Sequence, residues 1–204
     1  MRVGVLALQG AFAAHAAALE EIGCRPILVR DPRALLGVDG LVLPGGESTV
    51  QLKLLDRLGM TLPLCQLVAA GLPVLATCAG LILAASRVTH PAQPSFGWID
   101  VTVARNAWGR QVSSFEADVL GARVPFIRAP RITRVGPGVE VLARVANEPV
   151  LVRQRNLYGA TFHPELAADR MIHRACFWED LTASVAKVGG RRPASPNLPQ
   201  SHAS

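Results

Sequence analysis

Aromatic residues are scarce in this chain: they make up 5% of its 204 residues, and only one is a tyrosine. No segment interleaves them with lysine and arginine, so the net charge of +6 does not form the stripe that a nucleic-acid surface needs. The positive charge is scattered as single arginines, with Lys187, Arg191 and Arg192 gathered near the C-terminus. Cysteine is present four times, as Cys24, Cys65, Cys78 and Cys176, but never in a C-x-x-C pair. No histidine cluster stands at metal-ligand spacing. The expectation is therefore reduced thiols in a cytoplasmic protein, with no metal and no cofactor. An uninterrupted apolar run of about 18 residues, the length a membrane helix needs, is also missing. The N-terminus lacks a charged segment followed by a long apolar one, which argues against a secretory signal.

Half of the residues are hydrophobic and 18% are charged. That is the composition of a globular protein rather than a disordered one. A chain of this length buries roughly 70% of its extended surface, enough for a core without disulfide or metal staples. Residues 184–204 depart from this: they are rich in glycine, proline and serine and read as a disordered tail. The domain then spans 1–183.

Short apolar runs at 3–8, 26–29, 40–43 and 73–76 read as strands buried on both faces of a parallel sheet. Helical periodicity separates them at 11–22, 49–58, 64–70 and 79–86. Gly23 stands where a helix C-cap belongs, and Ser48 where an N-cap belongs. Alternation of this kind predicts an α/β fold, a doubly wound and mostly parallel sheet between two helical layers. After residue 95 the pattern changes to strand-like runs at 98–104, 115–119, 124–127, 139–145, 150–153 and 157–162, with a closing helix at 170–181. Mixed or antiparallel strands extending the sheet are expected from them.

Three short segments carry the chemistry. Cys78 lies in Ala76-Thr77-Cys78-Ala79-Gly80, between a predicted strand and a predicted helix. A turn of small residues there can hold a nucleophile on a sharp elbow. The helix start offers free N–H groups and a positive dipole end to an ionised sulfur. A small, inert core thiol is the competing reading. In Phe162-His163-Pro164-Glu165 the carboxylate can reach the imidazole if proline keeps the backbone extended, since residues two apart then point the same way. Taken alone, that segment reads first as a surface histidine beside an ordinary glutamate. Pro44-Gly45-Gly46-Glu47-Ser48 closes the third predicted strand, and paired glycines let backbone N–H groups approach a developing oxyanion. All three segments fall at predicted carboxyl ends of strands, where ligands gather in such sheets.

The order G-G-E-S, T-C-A-G, F-H-P-E resembles the class I (triad) glutamine amidotransferases. GVLALQGA (4–11), LPGGEST (43–49), TCAGLIL (77–83), VARNAWGRQ (103–111), SFE (114–116), FIRAP (126–130) and FHPEL (162–166) are similar to the pyridoxal 5′-phosphate synthase branch of that family. The strings span residues 3 to about 181. The resemblance implies a flavodoxin-like α/β/α glutaminase domain with Cys78 as nucleophile and His163 and Glu165 as relay. It implies glutamine contacts at Gly46, Glu47, Ser48, Arg105, Ile127 and Arg128. Backbone N–H groups near Gly45, Gly46 and Ala79 are the oxyanion candidates. It also implies a (β/α)₈-barrel synthase partner that receives the ammonia, and Gln9 is a candidate for sensing that partner. A triad amidotransferase serving another synthase, a cysteine hydrolase on the same sheet and a non-catalytic regulator are the alternatives.

Overall fold

The computed structural model describes residues 1–105 and 114–178. Most of RNAWGRQ, the end of the expected closing helix and the expected tail lie outside the described residues.

The first half alternates strand and helix as the apolar pattern requires: β1 (Arg2–Leu6), α1 (Phe12–Glu21), β2 (Arg25–Val29), β3 (Gly40–Leu43), α2 (Ser48–Arg57), α3 (Thr61–Ala69), β4 (Val74–Thr77) and α4 (Ala79–Ala84). The second half holds β5 (Ala85–Thr89), β6 (Ile99–Ala104), β7 (Ser114–Val119), β8 (Ala122–Ile127), β9 (Arg131–Val135), β10 (Glu140–Val145), β11 (Glu148–Gln154), β12 (Leu157–Ala160) and α5 (Met171–Phe177). A seven-stranded sheet runs β10-β11-β12-β4-β3-β1-β2. Its β12-β4-β3-β1-β2 part is parallel throughout, while β10 and β11 join antiparallel.

The pleat sorts the core onto two faces. Val3 and Val5 of β1, Val42 of β3, Leu75 of β4 and Tyr158 and Ala160 of β12 pack with Leu19 of α1 and Ile172 and Phe177 of α5. Their neighbours Leu6, Leu41, Leu43, Val74, Ala76 and Leu157 pack on the other side with Leu55 of α2, Leu64 of α3 and Leu81 of α4. Successive side chains of a strand point to opposite faces, so a strand covered on both sides must be apolar at every position. β3, β4 and β12 are buried along their whole length.

Four sequence expectations needed correction. The helix expected over 79–86 stops at Ala84, because Ala85–Thr89 pairs in parallel with β6. The run RITRV forms β9, a strand the sequence reading passed over. Not all later strands extend the main sheet: β5-β6-β9 form a separate sheet over the α2–α4 face, and β7-β8 a hairpin over the α1–α5 face. Finally, Ser48 is the first residue of α2 rather than its cap. Glu47 is the cap residue, without a side-chain cap bond, and the Ser48 hydroxyl donates to Gln93 Oε1 at 3.0 Å. Among the described residues no helix is long and apolar enough to cross a membrane.

Candidate active site

The parallel strands place four chain segments side by side. Gln9–Ala11 follow β1, Gly45–Ser48 follow β3, Cys78 follows β4 and His163 follows β12, and these four strands are neighbours in the order β1, β3, β4, β12. β1 has β2 on one side and β3 on the other, so the chain reverses its winding there. The crevice at such a switch point is where open α/β sheets bind ligands.

Cys78 sits at φ 46°, ψ −104°, between β4 and α4. A non-glycine residue there is strained, and the surroundings hold it in place. Its N–H donates to Ala160 O at 2.9 Å, and its own C=O accepts the Ile82 N–H at 3.2 Å. The small residues around it are required by space. A Cβ at Gly80 would lie 2.0 Å from the Leu43 carbonyl oxygen, so only glycine lets α4 start this close to β3. Cys78 is 7% exposed, and its sulfur faces the Ile127 carbonyl at 3.9 Å.

His163 Nδ1 and Glu165 Oε1 are 2.7 Å apart, with the carboxylate fully buried. The contact forms differently from the sequence expectation. The chain does not stay extended; Pro164–Leu166 makes a 3₁₀ turn with proline at its first position, where the fixed φ suits a helical start. The turn swings Glu165 inward beneath the ring. The other edge of His163 meets the glycine turn: a Cβ on Gly45 would stand 2.4 Å from its Cε1 and 3.4 Å from Cys78 Cβ. Sulfur, imidazole and glycine turn therefore border one space.

Burial pushes the His163 imidazole down. Hydrogen bonds to the Cys78 sulfur and to Glu165, and the charge on both, overcome it and hold the ring up at about 10. An imidazolium is the neighbour an ionised sulfur needs. Burial likewise pushes Glu165 up, but the positive charge of His15 when protonated and the His163 hydrogen bond bring it below the ordinary carboxylate range. His15 is itself driven down to about 4 by burial, so near neutrality it carries no charge and His163 supplies the hold.

The glycine turn is pinned from three sides. Ala11 N–H donates to Gly45 O at 3.0 Å, Glu47 N–H to Gln9 Oε1 at 2.8 Å, and Gln51 Nε2 to Pro44 O at 3.3 Å. Gly46 adopts φ 157°, close to the extended limit, and a Cβ there would meet Gln9 Oε1 at 2.6 Å.

One pocket, about 180 Å³, is lined by Gly45, Gly46, Glu47, Ser48, Cys78, Arg105, Ile127, Arg128 and His163. Every substrate contact anticipated from sequence lies on it; Ala79 lies just behind, in the first turn of α4, where N–H groups lack intrahelical partners. Glu165 lies behind His163. Arg105 is turned toward Glu47, Nη2 to Oε1 at 3.3 Å, whereas Arg128 has no ion pair among the described residues and holds a left-handed backbone at φ 46°. Sequence reasoning missed Ala11, Ile82 and Pro130 on the wall, which carry no functional group that could have signalled them. It also missed His15 and His173 behind Glu165.

Comparison with known proteins fits this geometry. The sequence model of the SNO glutamine amidotransferase family matches residues 5–182. A protein of Frankia casuarinae named pyridoxal 5′-phosphate synthase subunit PdxT is 53% identical over 182 residues, covering 85% of this chain and 92% of that one. A protein of the same name from Geobacillus kaustophilus is 47% identical over 178 residues, covering 84% and 91%. A crystal structure of a glutamine amidotransferase superposes with TM-score 0.81 at 45% identity, covering 85% of this chain and 96% of its own. The structure of PurLQS from Thermotoga maritima, 17% identical with TM-score 0.63 over 92% of this chain and 98% of its own, shares the fold.

Proposed function

The chain belongs to the SNO glutamine amidotransferase family, and from that premise we propose that it is the glutaminase subunit of a pyridoxal 5′-phosphate synthase. It hydrolyses L-glutamine to L-glutamate and ammonia, and the ammonia passes to a synthase subunit. The observation that carries this reading is Cys78, on a strained elbow, sharing one pocket with a His163 held by Glu165 at 2.7 Å.

The Cys78 thiolate attacks the carboxamide carbon of glutamine, forming the C–S bond and moving an electron pair to oxygen. N–H groups of Gly45 or Gly46 and of Ala79 receive that oxyanion; one such donor is worth ~10²–10³ in rate. Protonated His163 gives its proton to the nitrogen, the C–N bond breaks and ammonia leaves a γ-glutamyl thioester. His163, now neutral, takes a proton from water as its oxygen attacks the thioester carbon; the C–S bond then breaks, its electron pair returning to sulfur as the Cys78 thiolate, and glutamate departs. Glu165 keeps the imidazole in the required tautomer throughout. Arg128, without an ion pair among the described residues, takes the substrate α-carboxylate, with Arg105, Glu47, Ser48 and Ile127 closing around the amino-acid end.

The glutaminase domain spans 1–183 with a tail at 184–204, and free thiols suit a cytoplasmic location. The partner is a (β/α)₈-barrel synthase subunit. Gln9, which accepts the Glu47 N–H, is placed to couple docking to the glycine turn. The test is glutamate release with and without the synthase subunit. Wild type releases glutamate when docked. Cys78→Ala does not, yet its complex still makes pyridoxal 5′-phosphate from supplied ammonium. No release by the docked wild type, or full release by Cys78→Ala, overturns the reading.

A further inference from the structure

Behind the pocket, on the α1–α5 face of the sheet, two fully buried histidines continue the line from Cys78 through His163 and Glu165. His15 comes from α1 and His173 from α5. His15 Nε2 lies 3.2 Å from Glu165 Oε2 and 3.1 Å from Thr77 Oγ1, and His15 Nδ1 lies 3.0 Å from His173 Nε2. The proposed chemistry uses neither ring, yet both are polar groups kept at 0% exposure. Resting on the glutaminase reading, we propose that His15 and His173 are positioning residues, a buried relay that fixes the outer oxygen of Glu165 and through it the orientation of His163.

Glu165 Oε1 is engaged with His163, while Oε2 has no well-aligned partner, and neither has His173 Nδ1. If His15 carried its proton on Nδ1, it would donate to His173 Nε2. His173 would then hold its own proton on the orphaned Nδ1, and the bare His15 Nε2 would face the bare carboxylate oxygen. Even with the Thr77 hydroxyl donating to His15 Nε2, that leaves the His173 Nδ1–H unmet and sets a nitrogen lone pair 3.2 Å from the carboxylate oxygen, both costly. With the proton on His15 Nε2 every buried N–H of the two rings meets an acceptor. His173 Nε2–H donates to His15 Nδ1, His15 Nε2–H points between Glu165 Oε2 and Thr77 Oγ1, and His173 Nδ1 is left as a bare lone pair. One N–H shared between two oxygens explains why its approach to the carboxylate is bent.

The electrostatics permit this assignment. Burial lowers His15 to about 4, opposed by the Glu165 charge and reinforced by that of His163. Burial also lowers His173 well below its ordinary value, helped by the charges of His15 and Arg170. Both rings are neutral at working pH, so His15 can accept at one nitrogen and donate at the other. Of the charged groups flanking the relay, Arg170 pairs with Glu21 and donates to the Glu165 carbonyl at 3.1 Å, and Arg174 stands 3.5 Å from Asp169. Among the described residues Glu165 is the carboxylate that meets His15, so it is the anion this relay serves.

Two experiments decide it. Nitrogen-15 NMR of histidine-labelled wild-type chain at neutral pH reads the tautomers directly, with no substitution. Neutral rings protonated on Nε2 at both His15 and His173 are expected; an Nδ1–H tautomer or an imidazolium at His15 overturns the proposal. The second is the pH profile of glutamate release by the chain docked on its synthase partner. His15→Leu removes the donor, so kcat falls ~10–100-fold, the value of a hydrogen bond to a charged group, with KM little changed. Its acid limb moves toward neutrality, because an unsupported Glu165 protonates more readily. His15→Gln, which restores an N–H near the same place, recovers most of the loss. A purely structural role would lower Tm in both variants and leave the acid limb where it is, which overturns the relay. Should the docked wild type release no glutamate, the glutaminase reading falls while the NMR result still decides the relay.

Discussion

Replacing Gly45 by alanine tests the site geometry with a single carbon atom. Gly45 is not in the left-handed region of backbone space, so alanine is tolerated there by φ and ψ, and what remains is contact. The new Cβ would stand 2.4 Å from His163 Cε1 and 3.1 Å from Nδ1, yet an ordinary 3.4 Å from Cys78 Cβ. Carbon atoms rest at about 3.5–4.0 Å, so the ring has to retreat by roughly 1 Å. It has nowhere to go without lengthening its 2.7 Å contact to Glu165, while its backbone N–H is tied to Pro125 O at 3.0 Å. Misplacing a catalytic group by about 1 Å costs about 100-fold in rate, or ~2.7 kcal/mol of barrier. The expected outcome for docked Gly45→Ala is thus a kcat near one hundredth of wild type, with native circular dichroism. The overpacking costs a further ~1–3 kcal/mol of stability, seen as a lower Tm. A variant that folds normally and keeps kcat within twofold of wild type would refute the placement of His163 against the glycine turn.

Gly80→Ala drives a Cβ to 2.0 Å from the Leu43 carbonyl, backbone against backbone, so it should cost ~3 kcal/mol or more and lower Tm by several degrees in thermal unfolding. His15, at about 4 when folded against 6.5 as a free group, contributes stability that is present above pH 6.5 and lost as pH falls toward 4. Denaturant titrations of wild type should lose on the order of 3 kcal/mol across that window from this group, and His15→Gln should show a shallower slope. His163 acts in the opposite direction: with its ring held up at about 10, its contribution is full below pH 6.5 and fades as pH rises toward 10. Cys78→Ala, which removes one of the partners that raise it, should flatten the alkaline limb of stability. Arg128→Ala should raise KM for glutamine about 10–100-fold with a smaller change in kcat, measured by glutamate release, as expected when a hydrogen bond to a charged group is lost.

Much of this site is legible from local chemistry. The continuous apolar runs of β1, β3 and β4 allow no reading but strands covered on both faces, and the residues after them must then share one rim. That logic places Cys78 and Gly45–Ser48 together before any contact is known, and FHPE adds His163. What stays hidden depends on partners distant in the chain. The His15–His173 contact joins residues 158 positions apart, and in an alanine-rich helix His15 looks like an ordinary surface group until α5 covers it. Ala85–Thr89 follows α4 without glycine or proline to end the helix, so only its pairing with β6 makes it a strand. Ser48 has the chemistry of a cap but is drawn to Gln93, 45 residues away. The inward swing of Glu165 comes from a 3₁₀ turn that the extended-backbone argument around Pro164 did not anticipate, although it reaches the same carboxylate–imidazole contact.

The proposed chemistry passes through a covalent bond between substrate and Cys78. Acid quenching of the docked wild-type chain during glutamine turnover, followed by peptide mass analysis, measures that bond directly. The prediction is one glutamyl group, attached through sulfur to the peptide that contains Cys78 and absent when ammonium replaces glutamine. Rapid glutamine turnover with Cys78 unmodified, or the glutamyl group found on Cys24, Cys65 or Cys176 instead, would contradict it.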